Sequence, residues 1–241
     1  MTSESVNPVR VAWGAIATLL SVLYTALLAP FAIAAVSARQ HRIVARLVRM
    51  WSWLIVRTCA VKVHFEGLEN LAGFKSCVLV ANHQSFFDVF AMLAYFPVEV
   101  IFVAKKELLK IPAVGYTLAH SEHIVIDRDN GGRSIRRAVE ALRDGWIVTI
   151  FPEGERFNDG SVHTFDDGAA WLAILGRRPV VPMAIVGSGR VFPKKALMVT
   201  PGGEIRYRIG RPIPTEGLHS NDRAELTRRL EDEIRVQTAM A

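Results

Sequence analysis

Beyond Cys59, the chain alternates short runs of β-branched and aromatic residues with stretches of helical periodicity. Each run has the length and composition of a strand, and the stretches between several of them place apolar side chains on one helical face. Strands that alternate with helices predict an α/β domain with a mostly parallel central sheet flanked by helices. The predicted strands are residues 61–65, 77–81, 98–103, 123–126, 146–151, 180–186 and 204–210. The predicted helices are Phe86 to Tyr95, Ser134 to Arg143, Gly168 to Leu175 and Asp222 to Val236.

The N-terminal quarter has a different pattern. From Val11 to Ala38 there is no charged side chain, and apolar residues cover every helical face, which is typical of a membrane helix. A helix from Val11 to Ala29 would be about 28 Å long, close to the apolar thickness of a bilayer. Pro30 permits a kink, so the segment could cross once or bend there and embed as a helical hairpin. A secretory signal peptide is an alternative, but this run exceeds the usual length and the basic residues follow it.

A basic amphipathic helix is predicted directly after this segment. At 100° per residue its arginines share an arc of about 80°, and apolar side chains from Ile43 to Ile55 cover the opposite side. The pattern indicates a helix at a lipid headgroup layer, with packing on the domain as the alternative. The basic residues that follow the apolar run also favour the cytoplasmic face of the cell membrane for the bulk of the protein. The arginines are Arg39, Arg42, Arg46, Arg49 and Arg57.

The distribution of charge separates the chain into two parts. The 241 residues carry a formal +6, and the first 65 hold seven basic residues against one acid, so the remainder is neutral. A basic stripe that follows a membrane segment, joined to a neutral domain, argues against nucleic-acid binding. The predicted organisation is a membrane-anchoring helical segment over residues 1–58 and a globular domain over residues 59–241. A hydrophobic content of 51% excludes a disordered chain.

Several common kinds of site are missing from the sequence. Cys59 and Cys77 form no C-x-x-C pair, so neither a disulfide framework nor a zinc site is predicted. His120 and His123 flank Glu122 without a third well-placed ligand, so no metal site is predicted there either. The sequence also contains no G-x-S-x-G, G-x-x-x-x-G-K-[ST] or G-x-G-x-x-G motif, which disfavours a hydrolase, a P-loop protein and a dinucleotide-binding protein.

The strand ending at Ala81 is followed by N-H-Q-S-F-F-D over residues 82–88. On one continuous helix His83 and Asp88 would point about 140° apart, so their contact requires a break. Ser85 supplies one as a predicted N-cap, which lets His83 fold back onto the first helical turn. A carboxylate on one imidazole nitrogen would leave the other as a base for a hydroxyl. Ser85-x-x-Asp88 is also a capping-box pattern, so these residues alone leave both interpretations open.

Three further clusters follow or form later strands: I-D-R at 126–128, F-P-E-G-E-R at 151–156 and V-P-M-A-I at 181–185. Together with N-H-x-x-x-x-D, they resemble in order and spacing the motifs of lysophospholipid acyltransferases of the 1-acyl-sn-glycerol-3-phosphate acyltransferase type. The resemblance covers about residues 78–187 and would make residues 59–241 the acyltransferase domain.

That resemblance implies a membrane-bound O-acyltransferase. It would move a fatty acyl group from acyl-CoA or acyl-carrier protein to the free sn-2 hydroxyl of 1-acylglycerol-3-phosphate, giving phosphatidic acid. Its partners would be membrane lipids, the lysophospholipid acceptor and the acyl donor, and no cofactor besides that co-substrate is implied.

The resemblance also implies roles for particular residues. His83 would be the general base, and Asp88 would orient it. Two arginines and the F-P-E-G turn would bind the acceptor headgroup, since guanidinium groups suit phosphate, and a lysine could meet the phosphates of the donor. The substrate-binding residues predicted in this way are Arg128, Glu153, Gly154, Arg156 and Lys105.

Two departures from the family motifs add negative charge. Glu155 stands where F-P-E-G-T-R has threonine, and Asp166 and Asp167 stand where F-K-x-G-A is usual. Because these acids lie near the expected phosphate site, a lysolipid with a cationic headgroup, such as lyso-ornithine lipid, is an alternative acceptor. A non-catalytic lipid-binding protein at the membrane interface is a further alternative.

Overall fold

All seven predicted strands are confirmed, and they lie in one sheet. The computed structural model describes residues 7–126 and 131–240. The order across the sheet is β1-β7-β6-β2-β5-β3-β4. The strands are β1 (Lys62–Glu66), β2 (Val78–Ala81), β3 (Val100–Lys105), β4 (Ile124–Ile126), β5 (Ile147–Ile150), β6 (Val180–Val186) and β7 (Glu204–Ile209).

The sheet is mostly parallel, as the sequence pattern predicts. Strands β6, β2, β5, β3 and β4 are parallel neighbours, and only the β6–β7 pair is antiparallel among the strand pairs of the described residues. The carboxyl ends of β2, β5, β3 and β4 therefore meet at one edge, where the sequence motifs begin. Side chains alternate between the two faces, so Val78 and Val80 pack into one core while Leu79 and Ala81 pack into the other.

Helices cover both faces of the sheet. The four helices predicted in the globular domain are present as α3, α5, α6 and α8, whereas α4 and α7 were not predicted because six and four residues are too few to show helical periodicity. The helices are α1 (Pro8–Ser37), α2 (His41–Thr58), α3 (Phe86–Tyr95), α4 (Val114–Ala119), α5 (Gly131–Arg143), α6 (Gly168–Gly176), α7 (Ser188–Val191) and α8 (Arg223–Ala239).

The apolar N-terminal segment forms one uninterrupted helix through Pro30. By length and composition it is the one helix in the described chain that could cross a membrane. The chain reversal considered at Pro30 does not occur there, because a proline inside a helix removes one backbone bond without having to end the helix. The chain reverses instead at Ala38 to Gln40, and α1 and α2 form the hairpin. The Trp51 indole donates to the Thr25 hydroxyl at 2.9 Å between them.

The predicted amphipathic helix is present as α2, but its apolar face packs on the protein. Ile55 and Val56 are buried in the same core as the β2 residue Leu79. Arg49 is not free for lipid, since its guanidinium donates to the carbonyl of Phe96 at 2.6 Å, just after α3. The alternative of packing on the domain therefore describes this face of α2, and the remaining arginines stay exposed.

Contacts near both ends fasten α1 to the globular domain. Near its beginning, Arg10 Nε donates to the carbonyl of Pro201 at 3.0 Å. At its end, the hydroxyls of Ser37 and Tyr116 lie 2.9 Å apart. The helix thus lies along the domain, with residues such as Leu19 facing outward.

Candidate active site

The turn after β2 is held to the sheet by Asn82. Its side-chain amide donates to the carbonyl of Ile185 on β6 at 2.9 Å, and its oxygen accepts from the Ile185 amide at 2.7 Å. These two bonds continue the β2–β6 pairing one residue beyond the end of β2. The next residue, His83, therefore leaves the sheet at a fixed position on its carboxyl edge.

Ser85 ends the turn and begins α3, as predicted. It has an extended backbone, its hydroxyl accepts from the Phe87 amide at 3.2 Å, and Asp88 completes the capping box. The same hydroxyl donates to the carbonyl of Phe192 at 2.9 Å. The start of α3 is thus fixed both by its own cap and by the segment after α7.

His83 and Asp88 make the contact that the sequence predicts. Asp88 Oδ2 lies 2.7 Å from His83 Nδ1 and accepts from the amides of Gln84 and Ser85 at 2.8 and 2.9 Å. The Asp88 side chain is fully buried. One carboxylate therefore caps the helix and also orients the imidazole, so the two interpretations of this motif hold together. Their catalytic role stays a prediction.

The imidazole of His83 is fixed on one side and open on the other. It stacks on the Phe151 ring with centroids 4.1 Å apart, and 15% of the side chain is exposed. Because Nδ1 is bound to Asp88, Nε2 is the nitrogen left to face a substrate, and no protein partner of Nε2 occurs among the described residues. This arrangement suits a general base at the carboxyl edge of the sheet.

Glu153 connects the two loops of the site. Its carboxylate accepts from the backbone amides of His83 at 3.0 Å and His163 at 3.1 Å, one on each oxygen. Burial raises its pKa to about 7, although both amide bonds favour the charged form. The structure thus gives Glu153 a positioning role towards the His83 turn, and binding of a headgroup stays a prediction.

Arg156 carries a positive charge close enough to the dyad to interact with the charge of Asp88. Its guanidinium carbon lies 3.8 Å from the centroid of the Phe86 ring. Burial lowers its pKa, and the charge of Asp88 partly offsets that effect. No carboxylate forms an ion pair with Arg156 in residues 7–126 and 131–240. A partly buried cation of this kind attracts an anionic ligand.

The other predicted binding residues are distributed around the same edge. Gly154 adopts a positive φ of 66° in the turn after β5, a conformation that favours glycine. Lys105 is the last residue of β3, two strands away from β2, and is exposed. At about 4.8 Å per strand the two strand ends lie about 10 Å apart. Arg128 lies outside the described residues.

Several residues of the site were not predicted. Phe151 lies under His83, the Phe157 amide donates to the His83 carbonyl at 2.8 Å, and Tyr207 donates to the Asp88 carbonyl at 2.8 Å. Burial raises the pKa of the Tyr207 phenol well above its usual value, so this group remains a donor. Phe151 begins a predicted motif, which is the one sequence signal for it.

Two of the three unexpected acids, Glu155 and Asp167, have basic partners. Lys194 Nζ lies 2.5 Å from Glu155 Oε2, and Arg223 Nε lies 3.5 Å from Asp167 Oδ2. The extra negative charge is thus neutralised locally in these two cases, and the added acids leave Arg156 as a free cation in the described site. These two ion pairs could not be predicted from the sequence, because Lys194 and Arg223 are remote along the chain from their partners.

The histidines near β4 have local roles. Burial lowers the pKa of His123 to about 4, and its Nδ1 accepts from the Phe102 amide at 3.1 Å. His120 Nδ1 lies 2.9 Å from the Tyr116 carbonyl. Within the part of the chain that the structure describes, no three His, Cys, Asp or Glu side chains converge on one point.

The segment that contains the His–Asp pair matches a known family. The family model described as Acyltransferase matches residues 62–186, just over half of the 241 residues. The chain therefore belongs to the acyltransferase family.

Particular relatives have more specific names. The 1-acyl-sn-glycerol-3-phosphate acyltransferase of Pseudomonas aeruginosa is 33% identical over 198 residues, which cover 80% of this chain and 76% of that protein. The human protein of that name, form alpha, is 30% identical over 181 residues, covering 73% and 64%. A chloroplastic relative from Brassica napus is 31% identical over 156 residues, so the match spans 45% of that longer protein.

A solved structure extends the similarity to nearly the whole chain. The crystal structure of the 1-acyl-sn-glycerophosphate (LPA) acyltransferase PlsC from Thermotoga maritima superposes with a TM-score of 0.80 at 25% identity. The alignment covers 96% of this chain and 97% of that one, so it includes the N-terminal hairpin. The resemblance predicted from the motifs is confirmed.

Proposed function

We propose that this protein transfers a fatty acyl group from an acyl thioester to the free hydroxyl of 1-acylglycerol-3-phosphate, giving phosphatidic acid. The observation that carries the proposal is the His83–Asp88 pair, with Nδ1 held at 2.7 Å and the imidazole partly exposed at the sheet edge. The names of the relatives support the choice of acceptor.

In the proposed reaction His83 is the general base. Its Nε2 takes the proton of the acceptor hydroxyl while that oxygen attacks the thioester carbonyl, and the imidazolium is stabilised by Asp88. The tetrahedral intermediate then collapses, the carbon–sulfur bond breaks, and the proton on Nε2 passes to the departing sulfur. Base catalysis of this kind is worth about 10² to 10⁴ in rate, and positioning supplies much of the rest.

The charges around the site support a phosphate headgroup over a cationic one. Arg156 is a partly buried cation, and Glu155 and Asp167 are both paired with basic side chains. A cationic lysolipid would need an unpaired acid near the dyad. Asp88 does not serve, because its side chain is fully buried and its Oδ2 is held by His83 Nδ1 and two backbone amides.

The hairpin supports a membrane-embedded protein whose first helix does not cross the bilayer. The ends of α1 contact the same globular domain through Arg10 and Ser37, and a crossing helix would carry one end away from it. With its outward apolar side chains, α1 is proposed to lie within one leaflet. The cytoplasmic face follows from the arginines after α1 and stays a prediction.

One assay tests the proposed reaction and the choice of substrates. The purified full-length protein is incubated in lipid vesicles with labelled acyl-CoA or acyl-carrier protein, and 1-acylglycerol-3-phosphate or lyso-ornithine lipid is added. We expect labelled phosphatidic acid and at least tenfold less product with the cationic acceptor. Hydrolysis of the thioester without a lysolipid product, or lysolipid binding without transfer, would contradict the proposal.

A further inference from the structure

A loop between α7 and β7 carries an apolar tip. We call residues 192–198 the tip loop. Leu197 is 95% exposed and Met198 is exposed beside it, whereas Val191 and Val199 at the two ends are buried. The Thr200 amide donates to the Val191 carbonyl at 2.7 Å and closes the base of the loop. The two apolar side chains are thus held outward from a fixed base.

The base of the tip loop is fastened to α1. The Val199 amide donates to the Thr18 hydroxyl at 3.1 Å. Gly14 passes so close that a Cβ atom there would lie 2.5 Å from the Val199 carbonyl oxygen. Since α1 exposes apolar side chains along its outer surface, the apolar tip lies next to the surface proposed to face lipid.

The other side of the tip loop contacts the active site. The Phe192 carbonyl accepts from the hydroxyl of Ser85, which begins α3 in front of Asp88. Lys194 pairs with Glu155 in the loop that also carries Arg156. The tip loop therefore contacts α1, the start of α3 and the loop that carries Arg156.

We propose that the tip loop is a second contact with the bilayer, in which Leu197 and Met198 insert beside α1 and Lys195 faces lipid phosphates. Lys195 is exposed and has no ion pair among the described residues. An apolar pair next to such a lysine fits an anionic phospholipid surface. The contact rests on the proposed placement of α1 in the leaflet, and its consequence, that the His83 turn is held at the depth of the headgroups, rests on the proposed reaction.

Selective labelling can test this contact in the full chain. Cys59 and Cys77 are buried, and burial raises the pKa of both thiols to about 12, so an introduced exposed cysteine reacts first. The environment-sensitive fluorophore NBD is attached to Leu197→Cys in vesicles of phosphatidylglycerol and phosphatidylethanolamine, with and without doxyl-labelled lipid. Leu19→Cys on α1 is the membrane control, and Glu216→Cys, exposed near the amino end of β6, is the control away from lipid.

The expected result is at least twofold quenching by doxyl lipid at 197 and at 19, and none at 216. Adding Lys195→Glu should reduce the quenching at 197 on these anionic vesicles. Quenching at 19 without quenching at 197 would overturn the inference, and so would a blue shift at 197 without quenching, which indicates a second copy of the chain. A His83→Ala background should give the same quenching, so failure of acyl transfer and failure of the tip contact are distinguishable.

Discussion

The α1–α2 hairpin and the turn after β2 differ in what they leave exposed. On α1, the Ser21 hydroxyl donates to the Ala17 carbonyl of the same helix at 2.7 Å, and apolar side chains such as Leu27 face outward. In the turn, Asp88 is fully buried under three contacts, and one edge of His83 is open. Attachment to lipid requires exposed apolar area, whereas proton transfer requires a single fixed geometry.

The largest expected effect comes from removing the imidazole of His83, the exposed group of the turn after β2. His83→Ala should lower the rate of acyl transfer by about 10² to 10⁴, because the base is lost. Far-ultraviolet circular dichroism should be unchanged, because the substitution removes only the ring that stacks on Phe151, and Asp88 still caps α3. The measurement is product formation per minute in vesicles at a fixed lysolipid concentration.

The matched control is His64→Ala, a half-exposed histidine on β1 that lies 3.5 Å from Glu204. This variant should keep full activity, because β1 is at the far end of the sheet from β5 and β3. Activity that survives in His83→Ala would disprove base catalysis by this residue.

The next effect concerns Glu153, whose carboxylate holds the His83 turn, and its influence on the free energy of unfolding. Because burial raises the pKa of Glu153 to about 7, the folded protein is expected to keep this proton up to about pH 7, whereas an unfolded chain loses it near the usual pKa of 4.5. The folded state binds more protons in this window, so the free energy of unfolding should fall as the pH rises from about 4.5 to 7, by at most about 3 kcal/mol.

Glu153→Gln should remove this dependence on pH while it lowers stability overall, because a carboxamide has one oxygen for two backbone amides. Chemical denaturation in detergent at pH 5 and pH 8 measures both effects. Glu216→Gln, at an exposed position, is the control and should keep the wild-type slope. Equal slopes in the wild type and Glu153→Gln would show that Glu153 is ionised in the folded protein throughout.

A third change tests the attachment of the hairpin and should cost less. Gly14→Val places a side chain where the Val199 carbonyl oxygen is 2.5 Å and a Pro201 ring carbon 3.3 Å from its Cβ. Overpacking of this kind costs about 1 to 3 kcal/mol, so the free energy of unfolding in detergent should fall by that amount. Ala15→Val, on the exposed side of the same turn, should have little effect. Equal free energies of unfolding in Gly14→Val and the wild type would mean that α1 is not held against the 199–201 segment.

The same two regions show how far the sequence predicts the structure. In the turn, the N-cap at Ser85 made a contact between His83 and Asp88 possible, and the resemblance to the family motifs favoured it over a capping box alone; the structure shows both, with the contact at 2.7 Å. On the hairpin, hydropathy predicted a long apolar helix, but the location of the chain reversal at Ala38 to Gln40 depended on packing rather than on Pro30.

The contacts that could not be predicted join segments that are remote along the chain. Glu153 is 70 residues from the His83 amide that it accepts from, and Lys194 is 39 residues from Glu155. Both contacts exist because β5 and β6 are the neighbours of β2 in the sheet. Strand alternation predicts a parallel sheet but not the order of its strands, so the partners of the added acids were unknown.

The smallest expected effect concerns Arg156, which has no ion pair among the described residues. Arg156→Lys keeps the positive charge but loses the planar group that stacks 3.8 Å from the Phe86 ring and can hold a phosphate at two points. The KM for 1-acylglycerol-3-phosphate should rise about tenfold, which corresponds to about 1.4 kcal/mol, with kcat changed far less. Lys110→Arg is the reverse substitution at the exposed end of the 106–110 turn; it serves as the control and should leave KM unchanged. If kcat falls and KM does not, Arg156 acts on the reacting groups instead of on the headgroup.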